Sequence, residues 1–167
     1  GYRTKVGSMS STYPKVGVGV IVIKKEKDNS YIMLHQRRGE HGSGYWGSGG
    51  GHLELGESLQ EGALRELSEE AGGQVKVKNV QFLGVMNFTE MEPKHYVDVS
   101  FSAEWVSGEP TNNAPEETTD WQWFNLDNLP SPLFPPLNNY LVALKTGQHF
   151  FDASFADNKK VTKNGNK

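Results

Sequence analysis

Three glutamates stand close together in residues 51–73, which read GHLELGESLQEGALRELSEEAGG. On a helix with about 100° between successive residues, Glu66, Glu69 and Glu70 share one face. Each pair of neighbouring like charges destabilises an exposed helix by about 0.2–0.5 kcal/mol. Carboxylates are the ligands that hard divalent cations prefer, and protein-bound Mg²⁺ often also contacts phosphate oxygens. The alternative is a solvated acidic face, but the crowding favours a divalent-metal site.

The rest of this helix supplies little positive charge. Its one basic residue, Arg65, is expected to lie off the acidic face, where it can pair with Glu61 or reach back to Glu57. Gly62 and Ala63 fall on the acidic face and leave a shallow surface beside the carboxylates. Carboxylates without counter-charges suit a bound cation. The stripe that packs the helix is predicted to consist of Leu64, Leu67 and Ala71.

A glycine-dense loop, residues 38–51, precedes the helix with the sequence RGEHGSGYWGSGGG. Such a loop can present bare backbone groups at the start of a helix, where anions bind. Arg37 and Arg38 end the strand before the loop, and either can donate charge-assisted hydrogen bonds to a phosphate. The alternative for each is an ordinary surface arginine at the end of a strand.

These groups need a scaffold, and the hydrophobic pattern predicts one. Residues 16–23 (VGVGVIVI) and 31–37 (YIMLHQR) are predicted to form a strand hairpin. A helix is predicted over residues 58–71, and the double glycine that follows is predicted to end it. Further strands are predicted over residues 75–88, 95–106 and 120–125, and a closing helix over residues 138–147.

Composition excludes several classes of function. The chain has 167 residues, no cysteine and a formal net charge of −3. Disulfides, thiolate metal sites and a cysteine nucleophile are therefore excluded. The chain has no overall positive charge to attract nucleic-acid polymers, and no apolar run approaches the ~18 residues of a membrane span. We expect a cytoplasmic protein, monomeric or homodimeric, that binds a small molecule and neither a nucleic-acid polymer nor a membrane.

The length suits a single domain, since domains of ~100–150 residues are the commonest size. Residues 1–9 are expected to be an extension introduced by cloning that runs up to the natural start at Met9, and the alternative is an ordered native extension. Residues 10–151 are expected to form the domain, and residues 152–167 a polar tail.

The spacing of the acidic helix resembles the Nudix box. That motif consists of a glycine, five residues, a glutamate, seven residues, Arg-Glu-hydrophobic, one residue, Glu-Glu, one residue, a glycine and a hydrophobic residue. The last position departs from the motif, because Gly73 stands where a hydrophobic residue is usual. The matching positions are Gly51, Glu57, Arg65, Glu66, Leu67, Glu69, Glu70 and Gly72.

The resemblance extends over most of residues 14–150 and is closest to the MutT-like nucleoside triphosphate pyrophosphatases, especially the plant and animal enzymes for modified nucleotides. It implies an α/β (α+β) fold, an α/β/α sandwich with a mixed β-sheet between helices. Two further departures stand out. Ser48 and Gly49 replace the usual Leu-Pro before the paired glycines, and Pro135 stands where close relatives often place a tryptophan beside the base.

The resemblance implies a hydrolase that uses Mg²⁺, with Mn²⁺ as a substitute. Its expected reaction cleaves a nucleoside triphosphate, oxidised or otherwise non-standard (such as 8-oxo-dGTP), to a monophosphate and pyrophosphate, in sanitation of the nucleotide pool. One alternative is a Nudix hydrolase for another diphosphate-containing metabolite, such as dihydroneopterin triphosphate, a nucleotide sugar or ADP-ribose. Another is a non-catalytic nucleotide-sensing module.

The same resemblance assigns roles around the metal. Glu66 and Glu70 are the expected metal ligands, and Glu69 binds directly or through water. The backbone carbonyl of Gly50 is the expected fourth ligand. The proton of the attacking water is expected to pass to Glu66 or Glu69. Glu57 and Arg65 are expected to pair and orient the loop on the helix.

Substrate-binding roles complete the expected site. Besides Arg37 and Arg38, Gly51 and His52 are expected near the phosphates. Glu116 is a candidate extra acid, with a solvated loop charge as the alternative. Phe134 is expected to stack on the base, and Asp98 and Asn138 to contact its polar groups. The alternative for each of the three is ordinary packing or a position that faces solvent.

Overall fold

The structure is a computed structural model that describes residues 13–39, 43–89 and 94–152. The expected extension, residues 1–9, and nearly all of the expected tail lie outside the described residues. Within these ranges the chain forms eight strands and two helices. The strands are β1 (Lys15–Glu26), β2 (Asn29–Gln36), β3 (Trp46–Gly47), β4 (Gly51–His52), β5 (Lys76–Phe88), β6 (Tyr96–Ser107), β7 (Gln122–Asn125) and β8 (Phe150–Phe151). The helices are α1 (Leu59–Ala71) and α2 (Pro135–Thr146).

A mixed sheet forms the middle of the molecule, with the strand order β3-β2-β1-β6-β5-β8. β4 also pairs with β1, and β7 also pairs with β2. The central pair, β1 and β6, is parallel, whereas β1 and β2 form an antiparallel hairpin. In this register Gly17 lies beside Asp98 on one side and beside His52 on the other. The end of the glycine-dense loop, at Gly51, is thereby held next to the middle of the sheet.

The two helices cover opposite faces of the sheet, because each face carries its own cluster of buried side chains. Helix α1 contributes Ala63, Leu67 and Ala71 to one cluster. Helix α2 contributes Leu137, Tyr140 and Ala143 to the other. The expected α/β/α arrangement is confirmed. No helix in the described part of the chain is both long and apolar enough to span a membrane.

Local sequence explains where α1 begins and how it packs. The hydroxyl of Ser58 accepts a hydrogen bond from the Glu61 amide (3.1 Å), and the Glu61 carboxylate accepts one from the Ser58 amide (2.9 Å). This capping box satisfies two amides that the first turn leaves unpaired. Ala63 is fully buried whereas Leu64 is half-buried, so the predicted packing stripe is wrong at this position. The sheet-facing stripe runs through Ala63 and therefore also carries Glu66 and Glu70 inward.

Most predicted boundaries agree with the structure within three residues, and the helix α1 ends at Gly72 as expected. Helix α2 begins at Pro135, three residues before its predicted start. A proline at the first position of a helix is favourable, because its fixed φ suits the helix and its missing N–H has no partner there. The two-residue strands β3, β4 and β8 are not apparent from the hydrophobic pattern.

Candidate active site

The site is built where the glycine loop meets the inner face of α1. The Gly50 amide donates to the Glu70 carboxylate, at 3.1 Å from Oε1 and 3.3 Å from Oε2. A Cβ on Gly49 would overlap Glu70 Oε2, and a Cβ on Gly51 would overlap the Glu66 carboxylate. Gly49 also has a φ of +81°, which favours glycine. Both carboxylates thus lie directly against glycine backbone, where a side chain has no room.

Burial and a neighbouring acid change the ionisation of Glu70. Its side chain is 22% exposed. Burial, followed by the proximity of Glu66, raises the pKa of Glu70 to about 8, against the opposing effect of the Gly50 amide. Such an acid binds a proton in the absence of a cation and gains most from a divalent ion nearby. The oxygens of Glu66, Glu70 and the loop backbone are the donor type that Mg²⁺ and Mn²⁺ prefer, so the residues present fit a hard divalent metal.

Arg65 neutralises part of the acidic face. Its Nη1 donates to Glu66 Oε1 at 2.9 Å and to Glu69 Oε2 at 3.3 Å. The expectation that Arg65 lies off this face, leaving the carboxylates without counter-charge, is therefore wrong. Among the described residues, no three His, Asp or Glu side chains are grouped in a metal-binding arrangement. Glu66 and Glu69 face the guanidinium, and Glu70 faces the Gly50 amide.

The same arginine ties the loop before α1 to the helix. Its Nε and Nη2 donate to the two carboxylate oxygens of Glu57, at 3.0 and 2.8 Å. Nη2 also donates to the His52 carbonyl at 2.9 Å. Hydrogen bonds from Arg65, and one from the Glu54 amide, lower the pKa of Glu57 to about 2. Arg65 does not pair with Glu61, because that side chain caps the helix.

A cleft of about 480 Å³ opens beside this corner, a size typical of small-molecule sites. Of the residues expected at the site, those that line it are Arg37, Arg38, Gly50, Gly51, His52, Glu70, Asp98 and Phe134. Glu66 lines a small adjoining cavity together with Glu70 and Gly50. The expected site residues that do not line the cleft are Glu57, Arg65, Glu69, Glu116 and Asn138.

The two candidate arginines differ in their surroundings. The Arg37 guanidinium lies 4.4 Å from the centre of the Phe134 ring. No hydrogen bond from it to any described residue is present, and burial lowers its pKa. Arg38, by contrast, donates from Nη1 to the Pro115 carbonyl at 2.8 Å. Within the described part of the chain, the donors of Arg37 are therefore not used and can bind a ligand, whereas Arg38 anchors the loop before β7.

Asp98 lies on the floor of the cleft. Tyr140 donates its hydroxyl to Asp98 Oδ2 at 2.9 Å, and burial raises the pKa of Asp98. Oδ1 accepts no hydrogen bond from the described residues. It rests against Gly17, where a Cβ would come within 3.0 Å. Asn138 lies outside this floor, exposed on α2.

Four residues in or beside the cleft are not among the site residues expected from the sequence. Lys94, Tyr140 and His35 line the cleft, and Trp121 donates from Nε1 to the Glu70 carbonyl at 3.2 Å. His35 is 6% exposed, stacks on Trp121 and has a pKa lowered to about 4, chiefly by burial. One signal was present: the period-2 alternation of a strand places His35 on the same face as Arg37.

The chain is similar to known proteins in both sequence and structure. Residues 13–144 match the NUDIX domain. The chain is 32% identical over 126 residues to the oxidized purine nucleoside triphosphate hydrolase of Mus musculus, which covers 75% of each protein. It is 33% identical over 123 residues to the ADP-ribose pyrophosphatase of Methanocaldococcus jannaschii, which covers 73% of this chain and 68% of that protein. The crystal structure of a MutT NUDIX hydrolase from Burkholderia pseudomallei superposes with a TM-score of 0.69 and 28% identity, over 78% of this chain and 98% of that one.

The chain therefore belongs to the NUDIX domain family. It is similar to MutT-like members of that family and, like them, is a Nudix hydrolase. The family generally uses divalent metals, in agreement with the donor set found here. The two relatives act on different compounds by their names, so membership alone leaves the substrate open.

Proposed function

We propose that the protein hydrolyses a nucleoside triphosphate to a nucleoside monophosphate and pyrophosphate, with Mg²⁺ as the metal and Mn²⁺ as a substitute. One observation carries this proposal: Glu70, beside Glu66, lies at the edge of a nucleotide-sized cleft whose wall carries Arg37, and the Arg37 guanidinium forms no hydrogen bond to a described residue. Acidic ligands for a metal and a guanidinium for phosphate are charges that stabilise the transition state of such a reaction.

In this proposal Glu66, Glu70 and the Gly50 carbonyl hold the metal, and Glu69, on the exposed side of the helix, binds it directly or through water. A bound divalent metal neutralises phosphate charge and acidifies a coordinated water. The oxygen of the water bonds to one phosphorus of the phosphoanhydride link, the bond from that phosphorus to the bridging oxygen breaks, and the monophosphate and pyrophosphate separate. Glu66 or Glu69 accepts the proton of the water. Arg65 holds both carboxylates in place, since it contacts each of them.

The base is proposed to occupy the floor of the cleft near Asp98. Oδ1 of Asp98 accepts no hydrogen bond from the described residues, so a base with N–H groups, such as guanine or its oxidised form, can supply one. The similarity to the mouse oxidized purine nucleoside triphosphate hydrolase supports the same class of substrate. The similarity to an archaeal ADP-ribose pyrophosphatase supports ADP-ribose as the second candidate.

A substrate panel tests the proposal. The purified protein is incubated with Mg²⁺ and normal and oxidised nucleoside triphosphates, ADP-ribose and dihydroneopterin triphosphate, and pyrophosphate is separated from orthophosphate. We expect a monophosphate and pyrophosphate from one triphosphate at much the highest kcat/KM. Preference for ADP-ribose would select the second candidate, and silence with both metals would reject hydrolysis of any of these compounds.

A matched pair of variants ties the activity to the site. Glu66→Gln should abolish turnover and leave the fold intact, because it removes charge but not shape. Asp127→Asn removes an exposed carboxylate outside the cleft and should change nothing. Full activity of Glu66→Gln would contradict the metal assignment.

A further inference from the structure

His35 is a buried histidine that no step of the proposed reaction uses. It lies on β2, lines the cleft and is 6% exposed. Its ring stacks on Trp121, with the ring centres 3.8 Å apart and an angle of 18° between the planes. A polar ring held this firmly in a cleft wall is unusual, since buried polar groups normally have hydrogen-bond partners.

The two ring nitrogens of His35 have different surroundings. Nδ1 is buried and has no hydrogen-bond partner among the described residues. Nε2 faces Glu70, with 4.0 Å between Nε2 and Oε2. If the hydrogen were on Nδ1, a buried donor would lack an acceptor. With the hydrogen on Nε2, the donor lies 4.0 Å from a carboxylate oxygen and only a lone pair on Nδ1 is left unpaired, so we infer that the neutral ring carries its hydrogen on Nε2.

Glu70 is consequently held from three sides. The Gly50 amide donates to its carboxylate, Trp121 donates to its main-chain carbonyl, and His35 faces Oε2. Trp121 links two of these contacts, because it both stacks on His35 and holds the backbone of Glu70. The missing side chain of Gly49 leaves the space in which Glu70 and Trp121 come together.

We propose that His35 is a positioning residue for the metal site, acting through Nε2 on the carboxylate of Glu70. The separation of 4.0 Å between Nε2 and Oε2 is too long for a hydrogen bond, so in this structure the two groups interact as neighbouring charge and dipole. This inference rests on the role of Glu70 as a metal ligand in the proposed function. Groups that orient metal ligands in this manner typically change metal affinity or activity by about 10–100-fold when removed.

The test measures Mn²⁺ binding directly, on the nucleotide-free protein, by calorimetry or by the electron paramagnetic resonance of free Mn²⁺. His35→Phe keeps an aromatic ring on Trp121 but removes the N–H. His35→Gln keeps an N–H donor but loses the aromatic ring. We expect His35→Phe to raise the Kd for Mn²⁺ about tenfold or more with the melting temperature nearly unchanged, and His35→Gln to bind Mn²⁺ more tightly than His35→Phe.

A double-mutant cycle distinguishes positioning from a general structural effect. In a Glu70→Gln background, His35→Phe should cause little further loss of Mn²⁺ affinity, because the carboxylate it orients is gone. Equal losses in both backgrounds, an unchanged Kd in His35→Phe, or a wild-type protein that binds no Mn²⁺ would each overturn the proposal. Since no nucleotide is present, a wrong substrate assignment would leave this result unaffected.

Discussion

Arg65 and Glu57 form a two-pronged ion pair, in which Nε and Nη2 each donate to a separate carboxylate oxygen at 3.0 and 2.8 Å. The pair joins the loop before α1 to the second turn of the helix. Because the same guanidinium also contacts Glu66 and Glu69, one side chain sets both the position of the loop and that of two candidate site carboxylates. Planar two-point pairing of this kind is specific to arginine.

Glu57→Gln should make the free energy of unfolding less dependent on pH in the acidic range. The pKa of Glu57 is lowered to about 2 in the folded protein, against an ordinary value of about 4.3. Its ion pair therefore stabilises the fold fully at pH values above the ordinary pKa, and this stabilisation is lost as the pH falls to about 2. We expect wild type to exceed Glu57→Gln in its urea midpoint at pH 6, with the difference shrinking towards pH 2.5. A difference that is constant over this range would contradict the assignment.

Glu70→Gln should have the opposite dependence on pH. Because the folded pKa is raised to about 8, the unfolded chain releases this proton at lower pH than the folded chain does. In chelator, the metal-free wild type should therefore lose stability between about pH 4.5 and pH 8, and the variant should lose less. Urea midpoints at pH 5 and pH 8 measure this difference. Mg²⁺ at pH 8 should stabilise wild type and not the variant, and identical pH profiles would refute the prediction.

Sequence reasoning succeeded where the determinants are local. The start of α1 depends on Ser58 and Glu61, three residues apart, and its end depends on Gly72. The spacing of Glu66, Glu69 and Glu70 likewise lies within one element, so a single periodicity predicts their shared face. The family follows from the same short segment.

Contacts between distant segments could not be predicted from the sequence. The helix pattern alone allows Arg65 to pair with Glu61 or Glu57, and the resemblance to the family predicts Glu57, which the structure confirms. Only the structure shows that Glu61 is occupied by the cap. His35 meets Glu70 and Trp121 only when three separate elements pack together. The two-residue strand β8 exists only through its pairing with β5, which no pattern within two residues can reveal.

Gly49→Ala should damage the site through a side chain that has no room. The new Cβ would overlap Glu70 Oε2 and come within 3.1 Å of Trp121. Gly147→Ala is a matched control, because Gly147 has nearly the same φ (+79° against +81°) but no atom near its Cβ position. Both variants should lose about 1–3 kcal/mol from backbone strain, measured by urea unfolding. Only Gly49→Ala should also lose activity, by tenfold or more, and equal activity in the two variants would contradict this.

Asp98→Asn should change the preference for the base. In one orientation the new amide oxygen still accepts the hydrogen bond from Tyr140, and an NH₂ donor takes the place of Oδ1. In the other orientation the hydrogen bond from Tyr140 is lost. We expect kcat/KM to fall by about 10–100-fold for a guanine nucleotide, the range for a lost hydrogen bond to a charged group. The inosine nucleotide, which lacks the exocyclic amine, should lose less. Equal losses for the two substrates would show that Asp98 does not contact that amine.

Arg37 and Arg38 are adjacent in sequence, and a comparison of their variants separates phosphate binding from loop anchoring. Arg37→Ala removes a guanidinium that forms no hydrogen bond to the described residues and lies on the cleft wall over Phe134. We expect KM for the substrate to rise about 10–100-fold, the effect of losing a charge-assisted hydrogen bond, with little change in melting temperature.

Arg38→Ala removes instead the hydrogen bond to the Pro115 carbonyl, which holds the loop before β7 against the end of β2. Its melting temperature should fall, and KM should rise less than in Arg37→Ala. Arg37→Lys should lie between wild type and Arg37→Ala in KM, because a lysine keeps the charge but loses the planar fork. If Arg38→Ala instead raised KM more than Arg37→Ala did, the phosphate contact would belong to Arg38, and Arg37 would serve only to pack against Phe134.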